Sequence, residues 1–231
     1  PPRSTLFPYT TLFRSGGLGP YTQGLYAGSE MFGDGLLHLY EAGILKRRVY
    51  DHAGIQRLLN EGLLSQSLGP DSLAALTEAG VVNRVLGAED VALLQRFGIL
   101  RPDVRFLDGK LILPDGVGLI ADLSDRDTLR RIAAEALGAQ LAGGVLVHAA
   151  FFLGSQRFYD ALHAMPEAER RMFRMEAVST VNELFSDVEL ERLQHRHSRF
   201  LNICMKMTLL GAAVSDRSEE HTSELQSRHN L

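Results

Sequence analysis

Cysteine is almost absent. Cys204 is the only one in 231 residues, which excludes an internal disulfide and a multi-cysteine metal site. Inside an apolar run, a lone cysteine reads as a small buried hydrophobe rather than a nucleophile. Basic excess is also absent: the net charge is −4, and nothing in the charge pattern points to nucleic acid. No apolar run approaches the length of a membrane span. There is no G-x-S-x-G elbow, no P-loop and no dinucleotide fingerprint. What remains is an ordinary globular composition, 45% hydrophobic, expected in a reducing cytoplasm.

One carboxylate stands out against this background. Glu30 lies in Gly-Ser-Glu-Met-Phe-Gly-Asp-Gly, residues 28 to 35. Phe32, Leu36, Leu37, Tyr40 and Ile44 follow at helical spacing, so the pattern predicts a loop delivering Glu30 to the first turn of a helix. Glycines permit sharp turns and close ligand approach. A nearby helix N-terminus favours an ionised carboxylate, able to act as base or nucleophile. A solvated surface glutamate fits the same pattern.

Further along, Lys46, Arg47 and Arg48 suit either a helix C-terminus or a phosphate contact. Three short helical patterns between residues 53 and 98, punctuated by glycines, read as scaffold. Asp108-Gly109 predicts a hairpin over residues 104 to 113. Residues 117 to 123 predict a short strand, and Ser124 with Asp127 the capping signal of a helix running through Leu141 to Gly143-Gly144. Residues 145 to 153 predict a strand buried on both faces, forming a parallel pair with the strand before that helix. His148, inside this run, is expected to be buried and bonded to backbone, the alternative being a polar group facing a cleft. Pro166 is expected at the first position of another helix. His195 and His197 are expected on the solvated face of a charged helix rather than on a metal. Residues 202 to 214 predict a core strand or the lead into a loop.

Glu30 with its neighbours, residues 39 to 51, "VLVHAAFFLG" (145 to 154), "VNELF" (181 to 185) and residues 199 to 216 together resemble the C-terminal domain of the acetyl-CoA hydrolase/transferase family. An Asp is expected where His197 stands. The resemblance implies an α/β fold: an incomplete CoA-transferase-like domain with a mostly parallel sheet and flanking helices. It implies Glu30 as covalent nucleophile, and Gly28, Gly33 and Gly35 as substrate or coenzyme A contacts. The implied substrates are acyl-CoA and small carboxylic acids, with no metal, no other cofactor, no nucleic acid and no membrane. A homodimer of the longer parent protein is compatible with it. The alternative is a non-catalytic α/β scaffold or binding domain.

Residues 1 to 15 and 217 to 231 read as foreign ends. Stretches 5 to 15 and 217 to 227 resemble translated sequencing adapters. Residues 16 to 216 are then expected to be part of a domain, lacking an N-terminal domain and a C-terminal Gly-rich segment.

Overall fold

The computed structural model describes residues 24–182, 187–198 and 206–214. Both expected foreign ends, and Cys204, lie outside these residues. The chain divides into two units, one up to Gln194 and the other from His195.

The first unit is α/β. Its main sheet has three strands, β1 (Ala27–Phe32), β5 (Val147–Phe152) and β6 (Phe173–Met175). The order is β1-β5-β6, and both pairings are parallel. Side chains alternate across a sheet, so each register row belongs to one face. Two rows, Ala27–Val147–Phe173 and Ser29–Ala149–Met175, face a hydrophobic core. That core also holds Phe32, Leu37, Leu39, Leu45 and Phe158. Phe32 stacks on Phe173 at 4.9 Å and meets Phe158 edge-on at 5.3 Å. The row between them, Gly28–His148–Arg174, faces away from the core. The run at 145 to 153 is therefore buried on one face only.

Helix α1 (Asp34–Glu41) follows β1 and belongs to the same core. The chain then leaves the sheet and builds a second core before returning at β5. This insertion contains α2 (Ala53–Glu61), α3 (Pro70–Glu78), α4 (Ala88–Arg96), α5 (Arg126–Glu135) and a small antiparallel sheet. That sheet comprises β2 (Arg105–Leu107), β3 (Lys110–Ile112) and β4 (Gly118–Ile120). The expected hairpin is present, with Asp108 and Gly109 both at positive φ, as a tight primed turn requires. The expected parallel pairing across α5 is not. β4 pairs antiparallel with β3, and β5 pairs with β1 instead. Helix α5 is capped by Asp125, not Ser124, because the Asp125 carboxylate accepts from Thr128 N. It also stops at Glu135, after which Leu137 and Gln140 make isolated bridges to Leu100 and Ser67.

A repeated signal organises this half. Leu-x-x-x-Gly followed by two aliphatic residues occurs at 39–45, 58–64, 76–82 and 94–100. Each ends a helix the same way. The glycine (Gly43, Gly62, Gly80, Gly98) takes a positive φ. The next amide returns to the leucine carbonyl: Ile44 to Leu39, Leu63 to Leu58, Val81 to Leu76, Ile99 to Leu94. This is the Schellman ending, which satisfies orphan carbonyls while turning the chain sharply. The leucine and the second aliphatic residue are buried in all four, so one local rule sends each helix's exit into the core.

The sheet and insertion are followed by α6 (Gln156–Ala164), α7 (Glu167–Arg170), α8 (Val178–Asn182) and α9 (Val188–Gln194). Pro166 caps α7 from one position outside it. Buried amides tie α9 to α2. Gln56 Oε1 accepts from Tyr50 N, and Gln194 Nε2 donates to Tyr50 O. Gln56 Nε2 donates to Asn60 Oδ1, and Asn60 Nδ2 to Leu193 O. Each buried polar group thereby regains a partner it lost to desolvation. Arg57 and Glu189 add an exposed ion pair.

In the second unit, His195 and His197 lie beyond the end of α9, and His197 has φ 61°. Neither is on the charged helix where the pattern placed them. Residues 206 to 214 form a two-stranded hairpin, β7 (Lys206–Met207) and β8 (Ala213–Val214). Leu209 and Leu210 sit fully exposed near its tip, so this part of the apolar run is not a core strand. Residues 202 to 205 lie outside the described part.

The Schellman glycines separate backbone strain from crowding. A Cβ on Gly43 meets nothing within 4 Å, so Gly43→Ala should cost only the left-handed conformation, about 1 kcal/mol. A Cβ on Gly98 would lie 2.9 Å from Ala142 Cβ and 3.1 Å from Gln140 O. Gly98→Ala should add overpacking of about 1–3 kcal/mol. Urea midpoints of the two variants test the difference, and equal losses would contradict it.

Candidate functional site

Glu30 is not on a loop. It is a residue of strand β1, ahead of Met31 and Phe32. The glycines that suggested a loop do not break the strand, because the ladder to β5 holds Gly28 opposite His148 and Ser29 opposite Ala149. Helix α1 begins only at Asp34, with Gly33 as its N-cap. Glu30 is exposed. Gly28 and His148 share the face turned away from the core, and Glu30 stands two residues, roughly 6.6 Å, nearer the C-terminal end of β1 than Gly28.

That face carries a polar cluster. Tyr26 Oη lies 2.8 Å from His148 Nδ1, and the two rings meet edge-on at 5.6 Å. His148 is half-buried and bonds to the Tyr26 phenol. Desolvation pushes the Tyr26 phenol well above its ordinary range. Arg47 opposes that rise, and Glu191 and Asp51 add to it. Tyr26 therefore keeps its proton at neutral pH. Beside His148 in register, Arg174 donates to Asp51 at 3.1 Å and pairs with Glu176 at 3.5 Å. Arg96 reaches the same Asp51 oxygen at 3.5 Å. Gly28, opposite His148, adds no side chain to the row.

The remaining sequence candidates separate. Gly33 has a packing role, since a Cβ there would lie 2.9 Å from Leu153 O. Gly35 lies in the first turn of α1, where Leu36 and Leu37 N donate back to Gly33 O. Lys46, Arg47 and Arg48 are not in the last turn of α1, which ends at Glu41. Arg47 donates to Gln194 O at 2.9 Å, and Lys46 packs against Gly24.

The sequence reading passed over Asp34. Its carboxylate accepts from Ser155 N at 2.9 Å and from Ser155 Oγ at 2.6 Å. The Ser155 hydroxyl holds the Asp34 carboxyl below the usual aspartate range, assisted by the Ser155 amide and by Arg157. Ser155 is also the N-cap of α6. Both turns, Phe32-Gly33-Asp34 and Leu153-Gly154-Ser155, carry the same signal: a glycine followed by a residue suited to helix starts. Only the parallel pairing places one beside the other.

Apolar side chains rim the strand ends. Met31, Phe151, Phe152 and Leu153 are all exposed. In parallel α/β sheets, ligands bind outside the carboxyl ends of the strands, and Glu30 lies two residues before the carboxyl end of β1. Among the described residues, no three His, Cys, Asp or Glu side chains gather as a metal site requires. Among them, too, no helix is long and apolar enough to cross a membrane.

Compared with protein-family models, curated proteins and solved structures, the chain matches none.

The Asp34 clasp has a pH signature. Its folded pKa is lowered, so its contribution to stability is fully present above the unfolded value of about 3.9 and is lost as pH falls through the folded value. The difference in melting temperature between the native chain and Asp34→Asn should be constant from neutral pH down to about 5 and shrink below about 4. A difference that grows on acidification would contradict the clasp.

Proposed function

We propose that this chain supplies the nucleophile of a CoA-transferase or acyl-CoA hydrolase acting on acetyl-CoA-class thioesters, and that Glu30 is that nucleophile. The carrying observation is the position of Glu30: an exposed carboxylate in a Gly-Ser-Glu-Met context, near the C-terminal end of a parallel strand. The resemblance of residues 39 to 51, 145 to 154 and 199 to 216 to the acetyl-CoA hydrolase/transferase family supports the same reading.

The chemistry follows from a carboxylate's reactivity. A Glu30 oxygen attacks the acyl-CoA carbonyl, the C–S bond breaks, and the coenzyme A thiolate leaves with the electron pair. An acyl-glutamyl anhydride remains. The thiolate then attacks the Glu30 carbonyl and expels the first carboxylate, giving a glutamyl-CoA thioester. An incoming carboxylate attacks this thioester, forms a new anhydride and releases the thiolate. Attack of the thiolate on the new acyl carbonyl yields the product thioester and restores Glu30. Each step exchanges one acyl bond for another and needs no net proton. Water attacking either intermediate gives hydrolysis instead. Splitting one hard exchange into easier covalent steps is the benefit of nucleophilic catalysis. The apolar rim suits the burial of a reacting anion away from water. Of the glycines that the resemblance implies as coenzyme A contacts, Gly28 is the one on the same strand as Glu30. The cellular setting that goes with such substrates is the cytoplasm.

The test uses a protein carrying this chain with the flanking segments that the resemblance implies. After incubation with acetyl-CoA and then borohydride, the peptide containing Glu30 should lose mass through reduction of its thioester. Glu30→Ala should abolish transfer. Glu30→Asp, which draws the oxygen back by about 1 Å, should lose on the order of a hundredfold in turnover. Modification of a different carboxylate would reassign the nucleophile. No modification and no transfer would leave the non-catalytic α/β scaffold as the better reading.

A further inference from the structure

Glu30 lies between two fixed points of β1. On one side, the ladder to β5 locks Gly28 and Ser29 opposite His148 and Ala149. On the other, the ladder resumes at Met31–Phe151 and Phe32–Phe152, and the strand then ends in a turn held against the corresponding turn of β5. Three hydrogen bonds do this. Leu153 N donates to Phe32 O at 3.0 Å, and Ser155 N and Oγ donate to the two oxygens of Asp34 at 2.9 and 2.6 Å. Gly33 permits the approach, since any Cβ would crowd Leu153 O. The helices beyond the turns are tied as well: Arg157 of α6 donates to both oxygens of Glu41 at the end of α1, at 2.8 and 2.7 Å.

This clasp exceeds what capping α6 requires. Ser155 Oγ accepts from Phe158 N and caps the helix without Asp34. The Asp34 carboxylate instead joins two chain segments 121 residues apart, just past the strand that carries Glu30. Asp34 is four residues from Glu30, and its own side chain is engaged with Ser155 rather than directed to a reacting group.

We propose that Asp34 is a positioning residue: through Ser155 it fixes the exit of β1 against the exit of β5 and thereby holds the Glu30 carboxylate in attacking geometry. This rests on Glu30 being the nucleophile. Misplacing a reacting atom by about 1 Å can cost on the order of a hundredfold, so a clasp that limits drift at the strand end acts on the rate of attack. It has no reason to act on the binding of coenzyme A.

The experiment measures single-turnover formation of the Glu30 thioester, together with kcat and KM, in the flanked protein described above. The variants are Asp34→Asn, Ser155→Ala and the double substitution. Asp34→Asn keeps the side chain's shape, and Ser155 is exposed and outside the core, so folding is retained. Each single variant should slow thioester formation and kcat on the order of tenfold or more, with KM for acyl-CoA little changed. The double variant should be no slower than the worse single one, because both break the same clasp. Thioester formation at the native rate in Asp34→Asn, even with a lowered melting temperature, would overturn the positioning role while leaving Glu30 as nucleophile. Independent, multiplying losses from the two substitutions would overturn it as well. A native protein that never labels at Glu30 would overturn both readings.

Discussion

The parallel pairing of β1 with β5 is the constraint on which the first unit depends. It joins segments some 120 residues apart: Tyr26 meets His148 across a sequence separation of 122. Closing so long a loop costs entropy that no local contact recovers. The gain comes from what the closure assembles. The core-facing rows cover Phe32, Leu37 and Phe158, and the opposite row sets Gly28, His148 and Arg174 side by side. The insertion between the two strands has its own core and closes the loop in ordered steps.

Those steps come from a local rule. Four Schellman endings turn four helices back at the same kind of residue, each burying a leucine before the glycine and an aliphatic residue after it. This half of the fold is close to being written in the sequence. The helices at 53–61, 70–78 and 88–96 and the Asp108-Gly109 hairpin are set by near neighbours, and periodicity with turn chemistry finds them. The fourfold Leu-x-x-x-Gly signal is equally present in the sequence, where Gly62, Gly80 and Gly98 read only as punctuation.

The sheet is less legible, and the reason is physical. Strand identity in a parallel sheet depends on a distant partner. Gly-Ser-Glu-Met has the composition of a loop, and only the β5 ladder makes it a strand. The same blindness led β4 to be paired with β5: strand, helix, strand in sequence suggests a crossover, but β4 finds β3 through a short connection first. The candidate site shows both sides. Glu30 stood out by its context, yet its place on a strand did not. Tyr26 carries no signal alone, and the helix-start signals at Asp34 and Ser155 do not tell that the two side chains meet, which only the fold brings about.

The proposed chemistry makes one demand that a structure can meet or refuse. A crystal of the flanked protein soaked with acetyl-CoA should show continuous density from the Glu30 side chain to the coenzyme A sulfur, at the C-terminal ends of β1 and β5. Coenzyme A bound elsewhere, with its sulfur out of reach of Glu30 and that carboxylate unmodified, would contradict it.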